Sequence, residues 1–131
     1  SWTNWGRIIN ISSVHGAVGS HFKAGYVSSK HGLVGLTKVV ALETAKENIT
    51  CNAIGPGFVD TELVRKQIKN ISKKKGLSLK KTSDNLLREK HPSMNFVKKD
   101  DVSSLAYYLT THEASQITGS NLIIDGGWTA Q

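Results

Sequence analysis

The sequence is poor in the residues that staple, kink or anchor a chain. It holds one cysteine, Cys51, and two prolines, Pro56 and Pro92, in 131 residues. A single cysteine excludes an internal disulfide framework and fits a reducing compartment such as the cytoplasm. Cys51 lies in the apolar run Ile49 to Ile54 and reads as a small core residue rather than a nucleophile. No apolar run approaches the roughly 18 residues that span a bilayer, so no membrane partner is expected. The first residues carry neither the basic nor the apolar region of a secretory signal, and they begin without Met.

Acidic residues are scarce in one place. Between Val64 and His91 ten Lys or Arg face only Asp84 and Glu89, so the net charge of +7 belongs to that segment. The segment has no aromatic residue on which bases could stack, which argues against a nucleic-acid partner. Two readings remain for it: a solvated helix pair, or a surface that attracts a small anion.

What is present is an alternation of strand and helix. Arg7 to Ser12 is a short β-branched run and reads as a buried parallel strand. Val14 to Gly25, with glycines at 16, 19 and 25, reads as a loop. From Tyr26 to about Lys46 the apolar residues recur at helical spacing, and Gly32 and Gly35 within that helix predict a face packed closely against another backbone. Ile49 to Ile54 is a second strand, stopped by Gly55-Pro56-Gly57. Strand, helix and strand in that order form a βαβ unit, so the class is α/β with parallel strands. Lys99-Asp100-Asp101-Val102 predicts a helix start, and Asn121 to Asp125 a third strand. Ser1 to Gly6 reads as a helix end and the turn after it.

The chemistry concentrates between Ser13 and Lys30. Tyr26 and Lys30 stand one helical turn apart on one face. A tyrosine hydroxyl ordinarily titrates near ~10, and an ammonium group beside it favours the phenolate, which is useful for proton transfer at neutral pH. Ser13 follows the first strand on a Gly/Ser loop, where its hydroxyl can enter a cleft. A Tyr-x-x-x-Lys pair on its own also arises on solvated helices, and its setting decides its meaning.

That setting resembles the short-chain dehydrogenase/reductase family along nearly the whole chain. The matching pieces are Asn-Ile-Ser-Ser at 10 to 13, Tyr26-x-x-x-Lys30, Asn52-x-Ile54-x-Pro56-Gly57-x-Val59-x-Thr61, and Ile117-Thr118-Gly119 followed by Asp125-Gly126-Gly127. A narrower resemblance, to the bacterial 3-hydroxybutyrate dehydrogenase branch, rests on Gly6 to Asn10, Lys30-His31-Gly32, Ala41 to Ala45, Glu-Lys-His-Pro-Ser at 89 to 93 and Asp125 to Ala130. The resemblance implies the C-terminal half of a Rossmann-like doubly wound parallel sheet and an NAD-dependent oxidoreductase acting on a short-chain 3-hydroxy or 3-oxo acid.

It also implies roles. Ser13 would bind the reacting oxygen, Tyr26 would take the hydroxyl proton, and Lys30 would assist Tyr26 and hold the nicotinamide ribose. Pro56, Gly57, Val59 and Thr61 match the segment along the nicotinamide. His15, Lys23, Gln67 and Trp128 match the substrate pocket, with Lys23 and Gln67 suited to a carboxylate and Trp128 to a methyl group. Singly, His15 could be a loop histidine, Gln67 a solvated helix residue and Trp128 a core plug. The basic segment, residues 63–94, matches the family's substrate-covering lid.

The family is about twice this length, and its N-terminal half carries the glycine-rich pyrophosphate turn and the acidic residue for the adenine ribose. Neither is found here, so the whole chain, residues 1–131, reads as the C-terminal portion of one such domain, and a cut sheet would leave an apolar edge. Phe58 stands where close relatives tend to have tryptophan. Three hypotheses follow: an NAD-dependent 3-hydroxybutyrate dehydrogenase portion that needs the other half, in the same chain or a separate one; a non-catalytic remnant that self-associates through the Tyr26 to Lys46 helix; or a basic nucleic-acid module. A homo-oligomer, a tetramer in the family, is the expected assembly.

Overall fold

The computed structural model describes residues 5–131, and the expectation for residues 1–4 lies outside them. Three parallel strands stand in the order β1 (Gly6–Ile11), β2 (Ile49–Pro56), β3 (Asn121–Ile124). Helix α1 (Ala24–Thr44) joins β1 to β2. Helices α2 (Glu62–Lys75), α3 (Leu79–Lys90) and α4 (Lys99–Thr110) lie between β2 and β3. The register sets Ile8 beside Cys51, Asn10 beside Ala53 and Ile54 beside Leu122.

Alternation along the strands sends helices to both faces of the sheet. On one face Ile9, Ile54, Leu122 and Ile124 pack with Val102, Leu105, Ala106 and Leu109 of α4. On the other, Asn10 Nδ2 donates to Thr37 Oγ1 of α1 at 2.9 Å and approaches Cys51 Sγ. Cys51 is fully buried, as its apolar run predicts, and burial pushes its thiol up. Ile54 and Leu109 are fully buried on the α4 face, and each such side chain contributes ~1.5–3 kcal/mol.

Local signals explain the ends. Thr61 caps α2 by accepting the Val64 N–H, and Gly76, at φ 62°, stops it after three lysines. Ser78 accepts the Lys81 N–H at the start of α3, and the Asp101 carboxylate accepts the Lys98 N–H at the start of α4. The third motif stitches β2 to β3. Asn52 Nδ2 donates to the Ile117 carbonyl at 2.7 Å, its Oδ1 accepts the Ser120 N–H at 3.1 Å, and Thr118 Oγ1 accepts the Cys51 N–H.

Two expectations fail for one physical reason. β1 is only half-buried, with Ile8 and Ile11 40% and 49% exposed, because it pairs with β2 alone among the described residues. The Gly32 and Gly35 face of α1 is open, with space where a Cβ would stand, and Leu36, Val39 and Leu42 beside it are exposed. Among the described residues nothing covers either apolar surface.

Candidate active site

The site forms where β1 and β2 end. The Ser12 N–H donates to the Ile54 carbonyl at 2.8 Å, which carries the chain off β1 and over β2. Gly55 permits that crossing, since a Cβ there would stand 3.1 Å from the Ser13 carbonyl oxygen and 2.6 Å from Ile123 Cδ1. Ser13 and His15 are both buried on a short 3-10 turn. Ser13 Oγ accepts the His15 N–H at 3.1 Å and lies 3.3 Å from His15 Nδ1, while His15 Nε2 lies 2.8 Å from Ser20 Oγ.

His15 links the serine to the tyrosine. Its ring meets Tyr26 edge-on at 5.6 Å and Trp128 edge-on at 5.4 Å. Lys30 donates to the Ile11 carbonyl at 3.1 Å, and its Nζ stands 5.6 Å from the Tyr26 ring centroid. Lys23 Nζ stands 5.9 Å from the same centroid, so two cations flank one phenol. Burial, then the charges of Lys23, Lys90 and His31, hold His15 below the usual imidazole range, so the ring favours its neutral form.

The other wall comes from the exit of β2. Gly57 donates its N–H to the Ile124 carbonyl at 2.8 Å, and Phe58 donates its N–H to His91 Nε2 at 2.9 Å. Because that N–H can only donate, Nε2 accepts and Nδ1 carries the hydrogen given to the Asn95 carbonyl at 2.8 Å. His91 is completely buried, stacks on Phe58 at 5.5 Å, and leaves no space for a side chain on Gly57. Val59 forms a parallel bridge with Val97. Pro56, Gly57, Val59 and Thr61 thus follow one another from the strand end to the cap of α2.

Trp128 completes the wall, 5.1 Å from Phe58. Asp125 fixes it by accepting the Gly127 N–H at 3.0 Å and both the N–H and the hydroxyl of Thr129 at 2.7 Å. Burial raises the Asp125 carboxyl, but the Thr129 and Gly127 hydrogen bonds outweigh it and leave the group below the usual carboxylate range. A cavity of about 570 Å³ opens here, lined by Gly19, Ser20, His21, Lys23, Phe58, Glu89, Lys90 and Trp128.

Ser13, His15, Lys23, Tyr26, Lys30 and Trp128 are therefore gathered in one place. Gln67 is not: it is exposed on α2 and does not line the cavity. Sequence reasoning missed Glu89, Lys90 and His91 as neighbours of the site. The signal available for His91 was the pair of glycine-bearing turns, at Gly57 and Gly126, that need a flat buried ring between them.

The enoyl-(acyl carrier protein) reductase family model matches residues 1–129. The chain is 48% identical over 127 residues to D-beta-hydroxybutyrate dehydrogenase of Rhizobium meliloti, covering 97% of this chain and 49% of that protein. It is 48% identical over 128 residues to the enzyme of the same name from Cupriavidus necator, covering 98% and 50%. The chain thus spans about half the length of these curated relatives. Among solved structures, an actinorhodin polyketide ketoreductase variant with NADPH is 33% identical at a TM-score of 0.88, covering 98% of this chain and 49% of that one. A 4-hydroxyisoleucine dehydrogenase complexed with NADH is 38% identical at a TM-score of 0.73, covering 95% and 47%.

Proposed function

The chain belongs to the short-chain dehydrogenase/reductase family, and from that premise we propose that it is the catalytic and substrate-binding portion of an NAD-dependent 3-hydroxybutyrate dehydrogenase. The observation that carries this reading is the gathering of Ser13, Tyr26 and Lys30 around the buried His15 at the carboxyl ends of β1 and β2. Open α/β sheets bind ligands at those ends.

The residues present fit a dinucleotide's nicotinamide end. Lys30 commits one ammonium hydrogen to the Ile11 carbonyl, leaving two donors for ribose hydroxyls. Pro56, Gly57, Val59 and Thr61 would lie along the nicotinamide, and NAD is the acceptor we assign. Bound there, it supplies the two-electron acceptor for the hydride of the substrate carbon.

The chain's own residues manage the proton and the orientation. The Ser13 hydroxyl holds the substrate oxygen. Tyr26 takes the hydroxyl proton on oxidation and returns it on reduction. The positive charge of Lys30 stabilises the phenol oxygen while its proton is away, before Tyr26 accepts the proton on oxidation and after it gives the proton up on reduction. Neutral His15 orients Ser13 without competing for the anion. Lys23 binds the carboxylate and Trp128 walls the methyl group. Gln67 joins them when residues 63–94 close as a lid, and closure excludes water from the site. The apolar face of α1 seats a second copy of the chain in a homo-oligomer. No helix among the described residues is long and apolar enough to cross a membrane, and we assign the enzyme to the cytoplasm.

The protein produced from its own gene is to be assayed for NADH formation from NAD and 3-hydroxybutyrate. NADH formation supports the assignment. Turnover of another hydroxy compound in its place overturns the substrate, and self-association without dinucleotide binding identifies a non-catalytic remnant.

A further inference from the structure

We infer that Lys90 is a second cationic contact for the substrate carboxylate, acting with Lys23, and that Glu89 is the internal counter-ion the carboxylate displaces. This specificity determinant rests on the reading above, which draws its anion contacts from Lys23 and Gln67 alone.

Lys90 is the last residue of α3, where a cation is expected to complement the helix dipole from solvent. Its ammonium instead stands 5.4 Å from the Trp128 ring centroid, and the side chain is 32% exposed. Lys23, just before α1, and Lys90, at the end of α3, line the same cavity with Phe58 and Trp128. Each also approaches an aromatic ring that packs on His15, Lys23 the Tyr26 ring at 5.9 Å and Lys90 the Trp128 ring at 5.4 Å. Two ammonium groups sharing a water-accessible cavity repel one another, and an anion between them removes that repulsion.

Glu89 fits a displaceable counter-ion. Its Oε1 lies 3.3 Å from Lys90 Nζ, yet its side chain is 68% exposed, and an ion pair so open to water is held weakly. A substrate carboxylate enclosed by Phe58 and Trp128 meets the same ammonium in a drier place, where the contact is stronger. The trap therefore selects short acids over neutral ketones or alcohols of the same size.

Lys90→Met keeps the aliphatic stem on Trp128 and removes the charge. In the enzyme produced from its own gene, KM for 3-hydroxybutyrate is expected to rise roughly 10- to 100-fold with kcat little changed, from loss of a charge-assisted contact. KM for the neutral methyl ester should stay the same. Lys90→Arg should restore most of the acid affinity, and Glu89→Gln should lower KM for the acid. A purely structural role for Lys90 would move the ester and the acid together and leave Glu89→Gln without effect. Unchanged KM for the acid in Lys90→Met, in an enzyme that does oxidise 3-hydroxybutyrate, overturns the role of Lys90 and leaves the functional reading intact. A wild-type enzyme inert towards 3-hydroxybutyrate overturns the functional reading first, and the inference with it. The His15 titration, followed by NMR, reads the geometry separately from turnover: it should move upward in Lys90→Met, and an unmoved midpoint would remove Lys90 from the site.

Discussion

The His15 imidazole meets the Trp128 indole edge-on at 5.4 Å. That contact joins the loop after β1 to the turn after β3 and makes one wall from segments at the two ends of the described chain. The roles proposed above divide across this contact: Ser13, Tyr26 and Lys30 on one side, Phe58 and Lys90 on the other.

Tyr26→Phe removes the hydroxyl and keeps the ring that packs on His15. In the enzyme produced from its own gene, kcat should fall by about 10²- to 10⁴-fold, the usual share of a general acid–base group. The urea midpoint should stay in place. Kinetics and denaturation on the same preparation check both halves, and full activity in the variant would remove Tyr26 from proton transfer.

Acid should weaken the fold in two steps. His15 is held below the ordinary imidazole value of ~6.5, so the unfolded chain binds more protons than the folded one as pH falls through that value. Its contribution is present above that range and is lost as pH drops beneath it. Asp125 is also lowered, so its contribution is present above ~3.9 and disappears as pH falls through the folded value. Urea midpoints measured across the acid range should show both steps, and His15→Gln should flatten the upper one.

Asn52 is buried between β2 and β3 with both ends of its amide engaged. Asn52→Ala leaves the Ile117 carbonyl and the Ser120 N–H without partners, and should cost about 2–4 kcal/mol by urea denaturation. A loss within experimental scatter would show that water replaces both bonds.

Gly57→Ala places a Cβ 2.6 Å from Nε2 of a histidine with no room to retreat. The expected cost is about 1–3 kcal/mol, as for other overpacked sites. The Phe58–His91 hydrogen bond should lengthen with it, which the His91 ring resonances would report.

Leu42 is 80% exposed on the open face of α1. Leu42→Glu should shift the assembly to smaller species in sedimentation velocity without changing the helix content. An unchanged distribution would place the subunit contact elsewhere.

Much of the architecture was legible because it is set by short-range signals. The Asp100-Asp101 start of α4 and the apolar runs of β2 and β3 appear as the sequence predicts, whereas β2 runs on through Gly55 and Pro56, which pair with Ile123 and Ile124, before the chain turns. Helix α1 begins at Ala24 and ends at Thr44, about two residues earlier at each end than its apolar spacing suggests, since Lys23 starts it without a side-chain cap. The clustering of Ser13, Tyr26 and Lys30 could be anticipated from one helical turn and a strand end. Lys90 could not, because its surroundings are made by residues far away in the chain, and His91 left only the indirect trace of the glycines at 57 and 126. Gln67 shows the converse: its position on α2 is local and legible, while its distance from the cavity depends on how α2 sits. The burial expected for β1 and for Gly32 and Gly35 failed because a hydrophobic pattern is a property of one segment, while burial requires a second segment to pack on it, and none among the described residues does.

The parallel pairing of β2 with both neighbours bears on how quickly the site can come into being. Ile54 lies beside Ile11 across one helical crossover and beside Leu122 across three helices, so neither ladder can zip from a tight turn. Chains dominated by such distant pairings fold slowly, on the order of milliseconds to seconds. During that interval β1, which pairs with β2 alone among the described residues, offers a backbone edge and a half-apolar face to any passing strand. Chaperone demand, temperature of expression and protein concentration would therefore govern the yield of this polypeptide more strongly than its final stability does.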